Sequence, residues 1–453
     1  MPARTGMLTL QQLRDLISVG RVDTVELAMT DMQGRLQGKR LSAEFFLDVV
    51  AAHATEACSY LLAVDVDMNT VSGYETSWET GYGDVVLKPD ISTLRSLPWE
   101  PATALVLADV VGPDGGPVAA SPRQILKRQL ARLAERGWTA HAGTELEFIV
   151  FEDSYQDAWR KGYRDMHPAN HYNVDYSMLG GSQVEPLLRR IRNGMAGAGM
   201  YVESAKGEAN VGQHEIAFRY ADALTTCDNH SIYKTGAKAI AAQEGKSLTF
   251  MAKYDEREGN SCHIHLSLRG PGGAPIMAGD SEHGFSPLME HWLAGQLAFL
   301  RDFTLLYAPN INSYKRYARG SFAPTGIAWG RDNRTCSMRV VGDGLGLRVE
   351  NRVPGGDVNP YLAVAAMIAA GLEGVDKELP LPAPFTGNAY TADLPRIPDM
   401  LSEAVDLFGW SEPAREALGS DVVEHYQHMG RVELAAFHSA VTDWERYRSF
   451  ERM

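Results

Sequence analysis

Three short stretches of the chain place acidic and imidazole side chains at a spacing of two. Thr144 to Val150 reads TELEFIV, Cys262 to Leu268 reads CHIHLSL, and Leu347 to Arg352 reads LRVENR. In an extended strand, residues two apart share a face. Glu145 and Glu147 therefore point one way, with Leu146, Phe148 and Val150 behind them. His263, His265 and Ser267 share a face in the second stretch, and Arg348, Glu350 and Arg352 in the third. A fourth stretch, Gly207 to Ile216, reads GEANVGQHEI and adds Glu208 and Glu215 around Gly212. Taken singly, each is also the pattern of a strand with one solvated side. Together they gather residue types that hold metals and anions. Five glutamates with one or two histidines form an oxygen-rich ligand set, which suits Mg²⁺ or Mn²⁺ better than zinc. Arg316, Arg331, Arg334 and Arg339 lie just upstream of the third stretch. Divalent cations beside clustered guanidiniums are what phosphoryl transfer requires, because both stabilise charge on the transferring group. The phosphate-loop pattern GxxxxGK[ST] is absent, so a nucleotide would need a different type of site.

The elements that must position these residues follow from pattern. Leu8–Ile17 reads as a short helix and Thr24–Thr30 as a strand, with a polar turn at Asp31–Gly34. A stretch rich in Gly, Tyr, Trp and acids runs from Asp65 to Asp84. The turn-rich GPDGG at Gly112–Gly116 marks a boundary after small sheets and loops. Ser121-Pro122 opens a helix with an apolar stripe of Ile125, Leu126, Leu130 and Leu133, stopped by Gly137. Tyr361–Leu372 reads as a buried helix, and Arg431–Phe450 as one amphipathic helix. The class is α+β.

Composition sets outer limits. The 453 residues carry 43 Lys plus Arg and 57 Asp plus Glu, a net charge of −14, which argues against a general nucleic-acid binder. With 45% apolar and 22% charged residues, the chain is ordinary globular material. No stretch offers about 18 uninterrupted apolar residues, so no membrane partner is expected. Cys58, Cys227, Cys262 and Cys336 are scattered without a CxxC pair. They form neither a disulfide framework nor a zinc ribbon, and a reducing cytoplasm is the expected setting.

At these residues the chain resembles the glutamine synthetase superfamily, in its type I-like branch. The marks are ELE at Glu145–Glu147, GEANVGQHE at Gly207–Glu215, HIH at His263–His265, NSYKR at Asn312–Arg316, DNRT at Asp332–Thr335 and RVENRVPGGDVNPYL from Arg348. The resemblance implies an N-terminal β-grasp domain over 1–112. It implies a catalytic domain over 113–453, whose guanido-kinase-like sheet lines a funnel holding two divalent cations. Glu147, Glu208 and Glu215 would hold one cation, and Glu145, His263 and Glu350 the other. Arg316 and Arg352, with the backbone at Gly259, match positions that grip glutamate. Arg334 and Arg339 match positions facing the transferring phosphate, and Glu203, His265, Ser267, Arg334 and Arg348 match nucleotide contacts. The implied reaction is ATP-dependent, ADP-forming ligation: the γ-carboxylate of glutamate is phosphorylated and an amine displaces the phosphate. Asp67, Arg334, Arg339 and Glu350 are the residues on which that chemistry would rest. A homododecamer with active sites between subunits is also implied.

Departures from the family pattern bear on the amine. The flap after NSYKR reads YARGSFAP, and the flap glutamate of ammonium-using members falls on Phe322. DMNTVSGY, from Asp67, replaces a DGSS-type loop, with Asp67 and Thr70 at its acidic and hydroxyl positions. Tyr172 matches a residue lining the ammonium site. A neutral aromatic neither takes a proton from ammonium nor pairs with its charge, so the pattern resembles the branch that uses organic amines, above all ethanolamine. The alternatives are a polyamine or putrescine, for which Asp65, Asp67, Glu75, Glu79 and Asp84 supply acidity, and ammonium in a divergent enzyme. A non-catalytic structural or regulatory member would be expected to have damaged ligand positions; all six are intact here. Tyr390 lies near a position that some members modify and reads as structural, and Leu345 stands where a basic residue near ATP is common.

Overall fold

The computed structural model describes residues 6–453. The chain begins with a helix, Leu10–Ser18, started by Thr9, whose side chain accepts from the Gln12 amide while Gln12 reaches back to the Thr9 amide. That reciprocal pair satisfies two donors that a helix start leaves open. Five strands follow: β1 (Thr24–Thr30), β2 (Leu36–Ser42), β3 (Thr55–Cys58), β4 (Asp84–Ser96) and β5 (Thr103–Val111). They form one sheet in the order β2-β1-β5-β4-β3, in which only β1 and β5 run parallel. The Asp31–Gly34 turn is real, with Gly34 at φ +82° and its amide on the Asp31 carbonyl. Asn359 donates to the carbonyls of Asp31 and Met32, tying this turn to the start of the helix Pro360–Asp376.

A second sheet has nine strands: β6 (Thr139–Phe151), β7 (Val202–Gly207), β8 (Gln213–Phe218), β9 (Ala221–Asp222), β10 (Ser247–Thr249), β11 (Cys262–Arg269), β12 (Trp329–Arg331), β13 (Met338–Val341) and β14 (Arg348–Asn351). Its order is β12-β13-β14-β11-β6-β8-β7, with β9 and β10 also pairing with the long central β6. The helix Pro360–Asp376 is buried without a break from Pro360 to Gly374, as expected for a helix that is apolar all round. The helix Pro122–Ala134 starts at Pro122 and is followed by Gly137 at φ +72°. Ser121 precedes it in extended conformation, yet its side chain makes no capping bond; the proline supplies the start.

Arg123 of that helix ties the first sheet to the helix Ala223–Gln243. Its guanidinium is 2% exposed and reaches Asp90 on β4 at 2.7 Å, Asp109 on β5 at 2.5 Å and Asp228 at 2.9 Å. The tail departs from the single helix expected over Arg431–Phe450. A helix Ser420–Ser439 ends at Ala440, and a separate one, Asp443–Ser449, begins at Thr442 with its own capping box to Glu445. The 65–84 stretch packs on the first of these, with the Tyr74 ring 4.5 Å from His425 and 4.6 Å from His428. Among the described residues no helix is long and apolar enough to cross a membrane.

Candidate active site

Strand register assembles the site. Antiparallel pairing puts His263 opposite Glu145, His265 opposite Glu350, and Glu147 opposite Glu215. Directly opposed residues share a face with Cβ atoms about 5 Å apart, so four strands, β8, β6, β11 and β14, converge their polar faces. That face is not a solvated one: every residue of β11 is buried. Two clusters result, Glu147–Glu208–Glu215 and Glu145–His265–Glu350, in each of which the possible ligand atoms lie within 4.8 Å of one another. His263 stands beside the second cluster, its Nδ1 3.5 Å from Glu145 and 3.7 Å from Glu350.

The first cluster holds uncompensated negative charge. Glu147 accepts from the Ser261 amide at 2.6 Å and from the Gln213 side chain at 3.2 Å through one carboxylate oxygen. Glu208, just past the end of β7, pairs with Lys206. Glu215 is 6% exposed and has no hydrogen-bond donor among the described residues. Burial, and after it the charge of Glu145, pushes its carboxyl up to about 8. A buried carboxylate at that potential calls for a cation, and an all-oxygen set suits a hard divalent one.

In the second cluster the carboxylates are ordered. Burial opposes charge on Glu145, but hydrogen bonds from His263 and His265 overcome it and hold the carboxyl below its usual range. Burial and the charge of Arg352 push the His263 imidazole down, and its Nε2 is buried without a partner. Arg348 donates to Nδ1 of His265 at 3.1 Å, which leaves the ring proton on Nε2, 3.0 Å from Glu145. An arginine only donates, so the tautomer follows. Glu350 is fully buried and holds two guanidiniums, Arg339 at 2.6 Å and Arg352. Burial opposes its charge too, and His263, Arg352, His265 and Arg339 together keep its carboxyl low.

Arg316 is 1% exposed. It donates to the Val353 carbonyl at 3.0 Å and to the Ser261 hydroxyl at 2.9 Å. Gly259 lies against it: a Cβ there would stand 2.7 Å from Arg316 Cγ and 2.2 Å from the Ala252 carbonyl oxygen. Four residues singled out for a nucleotide, Glu203, His265, Ser267 and Arg348, line one cavity of about 290 Å³, with Leu345 at its edge. The fifth, Arg334, is 61% exposed, and its nearest carboxylate is Asp332 at 3.9 Å.

No hydrogen bond or ion pair among the described residues links the four residues expected at the amine site to one another. Phe322 is 56% exposed at φ +60° in the flap, and Tyr172 is also exposed. Asp67 and Thr70 are exposed on the loop that packs against the Ser420–Ser439 helix; Thr70 accepts from the Trp78 indole, and no hydrogen bond or ion pair of the described residues links either to the carboxylate clusters. The Tyr390 hydroxyl is buried without a partner. Sequence reasoning missed Gln213, whose amide touches Glu147, the Gly259 carbonyl and Asn260 at 3.2, 3.0 and 3.0 Å. Its position two residues before Glu215 on β8, on the same face, was the available signal. It also missed His141 and Tyr220, which line the 290 Å³ cavity.

Comparison with known proteins agrees with this geometry. The family described as "Glutamine synthetase, catalytic domain" matches residues 119–449. Gamma-glutamylethanolamide synthetase GlnA4 of Streptomyces coelicolor is 63% identical over 451 residues, covering 99% of this chain and 97% of that protein. Glutamate–isopropylamine ligase of a Pseudomonas species is 38% identical over 444 residues, covering 96% and 97%. The solved structure of a GmaS/ADP complex superimposes with a TM-score of 0.85 at 27% identity, covering 97% of this chain and 99% of that one. The chain belongs to the glutamine synthetase family.

Proposed function

We propose that this protein is an ATP-dependent ligase that joins the γ-carboxylate of glutamate to ethanolamine. The observation that carries the reading is the pair of adjoining carboxylate clusters flanked by buried arginines. The 63% identity to a γ-glutamylethanolamide synthetase over nearly the whole chain supports the choice of amine. A relative named for isopropylamine supports the use of organic amines generally.

Glu147, Glu208 and Glu215 are the ligands of one divalent cation, Mg²⁺ or Mn²⁺; Glu145, His263 and Glu350 are those of the second, with His265 beside them for the nucleotide phosphates. The cations neutralise phosphate charge when bound. Arg316, Arg352 and the Gly259 backbone hold glutamate. Arg339 and Arg334 face the γ-phosphate, and Glu203, Ser267 and Arg348 hold the nucleotide. An oxygen of the glutamate γ-carboxylate bonds to the γ-phosphorus of ATP as the bond to ADP breaks. The amine nitrogen then bonds to the acyl carbon, phosphate leaves, and the amine proton passes to Asp67 of a neighbouring subunit. Thr70, Tyr172 and Phe322 shape the amine end, where Phe322 gives apolar surface in place of a carboxylate. The two sheets support a division into residues 1–112 and 113–453. Family membership supports a dodecamer acting in the cytoplasm.

Phosphate release with ATP, Mg²⁺ and glutamate held fixed tests this, with the amine varied among ammonium, ethanolamine, putrescine and spermidine and the product weighed by mass spectrometry. Ethanolamine is expected to give the greatest turnover. Preference for the polyamines would mean that the acidic 65–84 loop forms a longer tunnel; activity with ammonium alone would refute the role given to Phe322.

A further inference from the structure

Asp67 is exposed, and its carboxylate has no hydrogen-bond or ion-pair partner among the described residues. No bond of its own aims that side chain, so the backbone on either side must. The loop around it closes on itself. Val64 and Thr70 form an isolated antiparallel bridge. The Asp65 amide donates to the Asn69 carbonyl at 3.0 Å and the Met68 amide to the Asp65 carbonyl at 3.1 Å. The Asp65 carboxylate accepts from the Asn69 amide at 2.8 Å and from its side chain at 3.0 Å. Met68 takes φ +66°, a left-handed conformation that costs a residue with a Cβ about 1–2 kcal/mol. These bonds fix the shape of the loop. They do not fix where its tip stands relative to the rest of the chain.

One side chain from the first sheet supplies that placement. Arg35, the residue after the Asp31–Gly34 turn, donates from Nη1 to the Val66 carbonyl at 2.6 Å and from Nη2 to the Met68 sulfur at 3.2 Å. Val66 and Met68 are the residues immediately before and after Asp67. A guanidinium is a rigid planar fork, so its two ends hold both flanks of Asp67 at a set separation. The base of the fork is fixed as well. Its Nε donates to Asp31 Oδ2 at 2.7 Å, and Nη2 also reaches Gln33 Oε1 at 3.3 Å. The Asp31 side chain is 0% exposed, and its Oδ1 accepts the amides of Gln33 at 3.0 Å and Arg35 at 2.8 Å. The Gln37 amide on β2 reaches both Asp31 Oδ2, at 3.3 Å, and the Met68 sulfur, at 3.6 Å. Behind Asp31 stands Asn359, on the run of chain that leads from Arg352 to the helix Pro360–Asp376.

We propose that Arg35 is a positioning residue for the amine step: it clamps Val66 and Met68 so that the Asp67 carboxylate is presented to the amine in the neighbouring subunit. This rests on the proton-accepting role given to Asp67 under the proposed function. Arg35 touches no substrate, and it makes no hydrogen bond or ion pair with the groups proposed to hold ATP and glutamate. A lysine in its place keeps the charge but ends in a single ammonium on a flexible stem, which cannot hold Asp31, Val66 and Met68 in one plane. A base works only within hydrogen-bond reach of the proton it takes, and a displacement of about 1 Å costs on the order of 100-fold. The step that suffers is specific. An amine that arrives as its ammonium ion must lose a proton before its nitrogen can attack. Hydroxylamine is already uncharged near neutral pH and depends far less on Asp67. Phosphorylation of glutamate does not involve Asp67.

Steady-state phosphate release by the full-length protein tests the proposal, with ATP, Mg²⁺ and glutamate saturating. The nucleophile is either hydroxylamine or whichever amine of the panel turns over fastest. Arg35→Lys should lower the ratio of amine to hydroxylamine turnover at least tenfold, with KM for ATP and for glutamate within twofold of the parent. Met68→Leu keeps the volume and removes the sulfur acceptor; it should lower the ratio at least twofold, and it decides the matter if the lysine variant does not fold. Asp67→Asn is the reference and should lower the ratio at least as far as Arg35→Lys. An unchanged ratio in the folded clamp variant, beside a lowered one in Asp67→Asn, would overturn the role of Arg35 and leave that of Asp67 standing. Equal loss with hydroxylamine and with the amine would overturn it too, because a merely structural part gives that result. An unchanged ratio in Asp67→Asn would instead remove the proton path of the proposed function, and the clamp with it.

Discussion

Replacing Gly259 with alanine tests the glutamate half of the site with the least chemical change. The added methyl would stand 2.2 Å from the Ala252 carbonyl oxygen and 2.7 and 3.2 Å from Cγ and Cδ of Arg316. Non-bonded carbon contacts are comfortable at about 3.5–4 Å, so the segment must move by roughly 1 Å. The Ala252 carbonyl gives little, because it already accepts the Asn260 amide at 2.9 Å. Arg316 is the other party, and it is pinned at Val353 and Ser261. The displacement therefore falls on the guanidinium and on the Gly259 carbonyl held by Gln213. A misplacement of about 1 Å costs on the order of 100-fold, or about 2.7 kcal/mol. Steady-state phosphate release should show kcat/KM for glutamate down about 100-fold and KM for ATP within twofold, since Glu203, Ser267 and Arg348 are untouched. Thermal unfolding confirms that the variant is folded. A folded variant with glutamate kcat/KM within threefold of the parent, or one in which ATP suffers equally, would refute the placement of glutamate.

Three further outcomes are expected. Glu350→Gln leaves Arg339 and Arg352 facing a neutral group in a fully buried position; breaking a buried pair costs about 3–5 kcal/mol, so the melting temperature should fall clearly and turnover should be lost, both read on one preparation. Phe322→Glu returns a carboxylate to the flap, and the ratio of ammonium to ethanolamine turnover should rise at least tenfold; an unchanged ratio in the amine panel would show that the flap does not choose the amine. Burial pushes the Lys234 ammonium down to about 8 from the ordinary 10.5 of a solvated lysine, so the unfolded chain binds more protons between those values and the group's cost to stability fades as pH rises through that window. The unfolding free energy of the parent relative to Lys234→Met should therefore climb from pH 8 to pH 10, by about 2–3 kcal/mol after allowing for partial exposure; a flat difference in denaturant titrations would mean that Lys234 is not held in a desolvated setting.

The parts of the site that alternation governs were legible. Glu145 and Glu147 on one face of β6, and His263 and His265 on one face of β11, follow from a period of two. The register between strands does not follow from composition, so nothing in the sequence alone sets His263 across from Glu145 or Glu215 across from Glu147. Arg352 illustrates the limit: β14 ends at Asn351, whose side chain accepts from the Val353 amide, and Arg352 meets Glu350 from beyond the strand. The break in the tail was legible and was missed, because Thr442 and Glu445 spell a capping box inside a stretch whose amphipathic period runs on. Asp67 and Thr70 are different in kind. Their loop is held by Tyr74 on His425 and His428, contacts more than 350 residues apart in sequence, and no local pattern encodes them.

What is fixed and what is left loose divides the site by chemistry. Glu350 is fully buried and orients Arg339 and Arg352, and Arg316 is locked by its own hydrogen bonds. The groups proposed to meet glutamate and phosphate are thus aligned during folding, and preorganised charge of this kind does not reorganise as the reaction proceeds. Phe322, Tyr172, Asp67 and Thr70 are all exposed, on flap and loops, with none buried in the core. Changing them disturbs no strand register and no buried ion pair. A scaffold built this way keeps acyl-phosphate chemistry constant while its amine changes, which agrees with relatives named for ethanolamine and isopropylamine aligning over nearly the whole of this chain. Substitutions confined to those four positions should accordingly alter amine preference with little effect on the melting temperature, whereas a substitution at Glu350 cannot separate the two.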